Sequence, residues 1–453
     1  MAQKSSSNFQ IILTGLFIIF AVVAVLIFSG IIKIGSSGTN SAATGNVVLW
    51  GTLPNASMGK LLREYLQAKE STFSITYVQK NPLTIDNDLV EAIASGTGPD
   101  LVFVSNDKIL KYRNKIMPIP YTSLSQATFQ STLIQEGDLY LAPQGILGIP
   151  IMVDPLVMYY NLDMLQSAGI ALPPATWNDL VALVPKLTIP DVAVNSIKKS
   201  TVALGTYSNI THAKDVLSLF FLQAGNPIVM RKDTELNSVL AGSTNSTLSD
   251  GSKKALQFYM SFADPAQAAY SWNRSRPDSR TSFIQGDLAF YFGYASELFS
   301  IQTQNPNLNF NVALMPQPKD AQAKVTFGRI TGISVLKSSK NIPGAFAAAS
   351  LMATADFESQ LVALPDISLP PVRRDLLSAR PTGTTQQYVS TFYNSALIAR
   401  AWLDPDITAT DKLFSDIINN SYSGLLTYDS ALNQASNTLD LILRALPPVT
   451  PSR

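Results

Sequence analysis

Cysteine is absent from the 453 residues, and histidine occurs once, at His212. Without thiols there can be no disulfide, no thiolate nucleophile, no zinc–thiolate site and no lipid-modified cysteine anchor. One imidazole makes a Ser-His-Asp triad or a poly-histidine metal site a poor prospect, so neither cofactor nor metal is expected. Charge is also scarce: 33 Lys and Arg stand against 32 Asp and Glu, and charged residues make up only 14% of the chain. A net charge of +1 gives no field able to hold a polyanion by counterion release, which sets nucleic acid aside as a partner. No tandem repeat is visible.

What is present begins with an apolar run. Ile11 to Ile32 holds no charged residue, and about 22 residues at about 1.5 Å each reach about 33 Å, enough for a hydrocarbon core. A cleaved signal peptide is the rival reading, because Lys4 precedes the run and Ser41-Ala42-Ala43 offers small residues for cleavage. Signal-peptide cores are shorter, however, at about 7–15 residues. A retained transmembrane anchor over residues 1–34 is therefore expected, with the remainder outside the cytoplasm. Residues 35–45 (GSSGTNSAATG) have the small, polar composition of a flexible tether.

The remaining chain is too long for one core, since domains hold roughly 100–200 residues. Val47 to Trp50 reads as a strand ended by Gly51, and Met58 to Lys69 as an amphipathic helix. Phe73 to Val78 alternates as a second strand, Leu89 to Ala94 is helical, and Leu101 to Val104 is a buried strand after a Gly-Pro turn. This β-α-β-α-β order predicts a parallel sheet, with ligand beyond the strands' carboxyl ends. Thr176 is placed to cap a helix with Asp179 at its third position, and a mostly helical stretch is expected from there to about Phe299.

Five segments in register resemble the family-1 extracellular solute-binding proteins, the receptors of ABC importers. They are Leu89 to Asp100 (LVEAIASGTGPD), Gly148 to Thr188 with its Tyr-Asn-Leu-Asp step and Pro-Ala-Thr-Trp helix start, Phe283 to Gly293 (FIQGDLAFYFG), Phe327 to Leu336, and Ile342 to Ala353. The resemblance implies an α/β, periplasmic-binding-protein-like fold of type 2, with two lobes joined by three crossovers and ligand in the cleft. Mapped on this chain, lobe one is 46–148 plus 331–368 and lobe two is 152–328 plus 372–453. It also implies a monomer that binds a small solute, most naturally a sugar, and docks on ABC permease subunits. A tethered sensor without transport, or a glycosidase using Asp107 and Asp154, are the alternatives from other classes.

A sugar site needs aromatic faces for ring faces and paired polar groups for hydroxyls. Trp50, Thr52 and Asn55 follow the first strand, and Asn106, Asp107 and Lys108 end the third. Asp154 lies past the first crossover. The resemblance adds His212, Gly293 with an aromatic platform at Tyr294, and Trp402 as a late residue closing over ligand. It places Arg329 and Arg373 at the second and third crossovers, where each could clamp a carboxylate, a phosphate or hydroxyls. Val104 departs from the maltose receptor of the family, which has a stacking tryptophan there, so maltodextrin itself is placed in doubt. The cleft is expected to be flanked by Trp50, Asp154 and Tyr294.

Overall fold

The structure, a computed structural model, describes residues 45–447 except 70, 72, 192–195, 243–246, 368 and 380–385. The expected anchor at 1–34 and nearly all of the tether lie outside the described residues. Among those described, no helix is long and apolar enough to cross a membrane.

The first three expected strands form as β1 (Gly45–Gly51), β2 (Phe73–Gln79) and β3 (Leu101–Ser105), connected through α1 (Asn55–Ala68) and α2 (Ile85–Ala94). Both β2 and β3 pair parallel to β1, as the β-α-β-α-β order predicts. The apolar face of α1, with Met58, Leu61, Leu62, Tyr65 and Leu66, is buried. β4 (Ile149–Asn161) then runs for thirteen residues, every one buried except Asp154. Its length lets the first part pair with one half of the molecule and the remainder with the other.

The region expected to be mostly helical also supplies strands, β5 (Ile189–Asp191), β6 (Ser196–Val202) and β7 (Leu288–Tyr294), between α3 (Trp177–Leu187), α4 (Ala213–Gln223) and α5 (Thr247–Ser261). β7 falls where the helix-Gly-strand resemblance of Phe283 to Gly293 implies a strand, whereas β5 (IPD) and β6 (SIKKSTV) are short or polar runs that carry no apolar period. Thr176 and Asp179 do form the reciprocal capping box at the start of α3. The chain continues through β8 (Phe310–Ala313), β9 (Thr326–Val335), α6 (Ile342–Met352), α7 (Ala355–Val362), β10 (Ala399–Arg400), α8 (Ile407–Tyr422) and α9 (Tyr428–Ala445).

One ten-stranded sheet in the order β2-β1-β3-β9-β4-β7-β6-β5 runs through the molecule, with β8 added to β4 and β10 to β9. β9 is antiparallel to both β3 and β4, so these two long strands carry the sheet from one half to the other. The segment before Arg373 lies alongside, its Pro370 carbonyl accepting from the Val153 N–H. Apolar side chains gather separately on the two sides of this seam. Tyr159, Trp177, Phe220, Phe283 and Trp402 belong to one core. Val102, Tyr140 and Val153, with Val47, Leu62 and Phe357, make the cores of the β1–β3 half.

Candidate functional site

A cavity of about 520 Å³ opens where the two halves face each other. Asn106 and Asp107 reach it from the end of β3, and Phe327 and Arg329 from β9. Tyr207 and His212 come from the loop leading into α4 and Lys214 and Asp215 from its first turn, while Trp402, Asp404 and Asp411 come from the start of α8 and the turn before it. Two helix N-termini therefore border the space, and their acidic first-turn and capping residues answer the unsatisfied N–H groups.

At the floor lies an ion pair. Asp215 Oδ2 stands 2.6 Å from an Arg329 guanidinium nitrogen and accepts the Tyr294 hydroxyl at 2.7 Å. The same guanidinium lies over the Tyr294 ring, 4.4 Å from its centroid. Burial works to raise the Asp215 carboxyl, yet Arg329, Lys214, the tyrosine hydroxyl and His212 together hold it below the usual carboxylate range. Beside it, His212 Nε2 meets Glu297 Oε1 at 2.7 Å, and Glu297 also accepts the Tyr294 N–H and the Tyr291 hydroxyl. His212 occupies the left-handed region at φ 61°, an unusual conformation for a non-glycine residue. Lys214 pairs with buried Asp404 at 2.8 Å, and Asp404 accepts the Thr410 hydroxyl.

Asn106 is the residue with capacity left over. Only 2% of it is exposed, and its Oδ1 accepts the Ile330 N–H at 3.2 Å. That bond fixes the amide orientation, and the Nδ2 group lines the cavity with no hydrogen-bond partner among the described residues. Open to the cavity, this group can donate to an acceptor from outside the chain.

Of the expected site residues, Asn106, Asp107, His212, Arg329 and Trp402 line this cavity. Tyr294 lies beneath it, under Arg329 and edge-on to His212 at 4.7 Å, so neither its ring nor its hydroxyl is offered as a platform. Gly293 leaves room for Tyr291 and Glu297, since a Cβ there would sit 2.4 Å from the Tyr291 ring. Asp154 pairs in register with Arg329 and accepts the Ser296 N–H. Burial pushes its carboxyl up to about 6 against the opposing pull of Ser296 and Arg329.

Trp50, Thr52, Asn55, Lys108 and Arg373 do not line the cavity. Trp50 is buried under Lys80, whose Nζ sits 3.8 Å from the ring centroid. Thr52 is exposed, and the Asn55 N–H is held by the Gln79 side chain at the start of α1. Lys108 turns away to Asp86, which it shares with Lys111 and Tyr112. Arg373 forms a two-pronged contact with Asp375. The flanking expected from Trp50, Asp154 and Tyr294 is therefore replaced by Asn106, Arg329 and the two helix starts, because each of those three side chains is already engaged. Trp402 does line the cavity, but it is 3% exposed, stacked on Phe414 and bonded through Nε1 to Ser218. Trp272, although next to the polar Asn273 and Arg274, is fully buried.

Asp215, Lys214, Asp404 and Asp411 escaped the sequence reading. The signal that could have found them is the pair of helix starts, Ala213 before a long apolar run and the Asp-Pro-Asp turn before Ile407.

The family model for bacterial extracellular solute-binding proteins matches residues 65–358, well over half of the chain. The chain belongs to this family. Among curated proteins, this solute-binding protein is 23% identical over 262 residues to a binding protein of Brucella abortus (strain 2308); the match covers 56% of this chain and 58% of the relative. The chain thus spans under two thirds of the length of the curated relatives it matches. Among solved structures it resembles a cyclo/maltodextrin-binding protein complexed with maltotetraose, with a TM-score of 0.70 at 15% identity, covering 91% of this chain and 100% of that one. A cyclic α-maltosyl-1,6-maltose binding protein from Arthrobacter globiformis gives 0.69 at 16% identity, covering 88% and 99%. These likenesses establish the two-lobed α/β fold.

Proposed function

We propose that the protein is the extracytoplasmic solute-binding component of an ABC importer and that its solute is a carbohydrate. The observation that carries this reading is the unpartnered Asn106 amide in a cavity built from both halves of the molecule. This donor, oriented by the Ile330 N–H and set beside Asp107, Lys214 and Arg329, matches the alternating donor and acceptor character of sugar hydroxyls. A volume of about 520 Å³ falls in the range of small-molecule pockets. The oligosaccharide complexes of the structural neighbours support the same reading.

Solute entering between the halves would draw them together by bending at β4, β9 and the 364–372 segment, and the closed form would dock on permease subunits. The run Ile11–Ile32 would anchor the chain in the membrane as a single span, with 35–45 as its tether. Starting from lobes of 46–148 with 331–368 and 152–328 with 372–453, we propose that the second lobe takes up the chain again only near residue 400. Val372, Leu377, Ala396 and Ala399 pack in the core of the first, which draws the last boundary toward Arg400. The molecule works as a monomer that binds without turnover.

A thermal-shift screen of the full-length chain against mono- and oligosaccharides tests this, because a ligand of the native state raises the melting temperature. At least one sugar should raise it, and Asn106→Ala should reduce that shift, each protein being compared with its own unliganded melting temperature because the variant also loses the bond to the Ile330 N–H. No response across the panel would reject the carbohydrate assignment.

A further inference from the structure

The cavity's charges do not cancel. Four carboxylates line it, Asp107, Asp215, Asp404 and Asp411, against two permanent cations, Lys214 and Arg329. Each cation is already engaged, Arg329 by Asp215 and Lys214 by Asp404. The remaining carboxylates form no ion pair among the described residues: Asp107 accepts the Ser105 hydroxyl and shares the field of Arg329 with Asp215, and Asp411 accepts the Tyr207 hydroxyl. His212, the other titratable group at the wall, faces Glu297 and so leaves the excess in place. Asp154 adds a further acid next to Arg329 across the β4–β9 ladder. Both helix N-termini have their own acids, Asp215 in the first turn of α4 and Asp406 capping α8.

Little aromatic face is open for stacking, either. Tyr207, Phe327 and Trp402 line the cavity but are each about nine-tenths buried or more, and Tyr294 is covered by Arg329. A solute here must gain its affinity from polar contacts, one of them an acceptor for the Asn106 amide. The excess of carboxylates over cations at the wall, with Asp107 and Asp411 outside either ion pair, is what remains to supply attraction.

We infer that the cavity selects a hydroxylated solute bearing a protonated amine, such as an amino sugar, over its uncharged and anionic counterparts. This deepens the carbohydrate assignment and rests on it. The hydroxyls answer Asn106 and the two ion pairs, and the ammonium group answers the unpaired carboxylates of the wall, Asp107 and Asp411. A phosphate or carboxylate would meet the acidic walls with no free cation to receive it, which argues against the clamp role expected of Arg329.

Titration calorimetry on the full-length chain decides the matter with matched sets: glucose, glucosamine, N-acetylglucosamine and glucosamine 6-phosphate, and the same four built on galactose. The amine should bind about tenfold tighter than the parent sugar and its acetylated form, the size of one such partly screened attraction. The phosphorylated form should be weaker than the amine. The preference should shrink as salt rises, and it should vanish at a pH where the amine is neutral, both measured on the unaltered protein. Asp107→Asn with Asp411→Asn should bring the ratio near one. If the parent sugar or the phosphate binds as tightly as the amine, this inference is overturned and the carbohydrate assignment stands. If none of the eight sugars binds while another saccharide raises the melting temperature, the amine preference is rejected alone. Failure of every saccharide ends both.

Discussion

Asp215 has 7% of its side chain in solvent, and its charge depends on Arg329, which keeps 42%. Removing the guanidinium would leave a buried carboxylate with a tyrosine and a more distant lysine for company. Arg329→Ala should therefore lower stability by about 2 kcal/mol, less than for a fully enclosed pair because solvent already screens the arginine. The pH response has a definite sign. With its folded-state value held below the ordinary range, Asp215 stabilises the fold above the unfolded carboxylate range, and this is lost as pH falls through the folded value. The variant should lose that benefit, so its chemical-denaturation midpoint should fall most near neutral pH and least in acid. Glu136 behaves oppositely. Neither of its carboxylate oxygens has a hydrogen-bond partner among the described residues, and burial, opposed by Arg400, pushes it up to about 8. The folded state keeps a proton that the unfolded chain releases above about pH 4.5, so stability declines as pH rises from there to about 8. Glu136→Gln should flatten that decline and exceed the parent in stability at pH 8 by a few kcal/mol, while the two should coincide near pH 4.

At the scale of elements, the capping box gives the clearest expectation. Thr176 Oγ1 accepts the Asp179 N–H at 3.2 Å, and Asp179 accepts the Thr176 N–H at 3.1 Å. Thr176→Ala should cost about 1 kcal/mol, read as a lower melting temperature. This box was legible because it is written in four consecutive residues. β1, β2, β3 and α1 were legible for the same reason, since alternation, turn glycines and a helical apolar stripe are local signals. β5 and β6 were not, because the short run IPD and the polar run SIKKSTV carry no apolar period, whereas β7, covered on both faces and so without alternation, was marked only through its resemblance. The site divided along a similar line. Asn106 and Asp107 follow a recognisable strand end, so position alone marked them. Tyr294 and Trp402 were marked by residue type, but whether an aromatic face is open depends on what covers it, here Arg329 and Phe414, and that is decided by residues far away in sequence.

For the molecule as a whole, the continuous sheet constrains how the halves can move. β4 and β9 exchange hydrogen bonds with each other and with strands on both sides, so closure must bend a paired ladder rather than loosen a loop. The register shift between Thr331 and Gly332 is where that ladder is already irregular. Because the chain has no native cysteine, two introduced ones can carry dyes without competition. Dyes at Lys60→Cys on α1 and Lys412→Cys on α8, both exposed positions, should show increased energy transfer when a bound sugar is present. Unchanged transfer under saturating ligand would mean the halves hold a fixed arrangement. All four tryptophans are buried, yet only Trp402 borders the cavity. Intrinsic emission should accordingly be blue-shifted and resistant to external quenchers, and any spectral change on adding solute should originate from that one indole and disappear in Trp402→Phe, giving a label-free optical reporter.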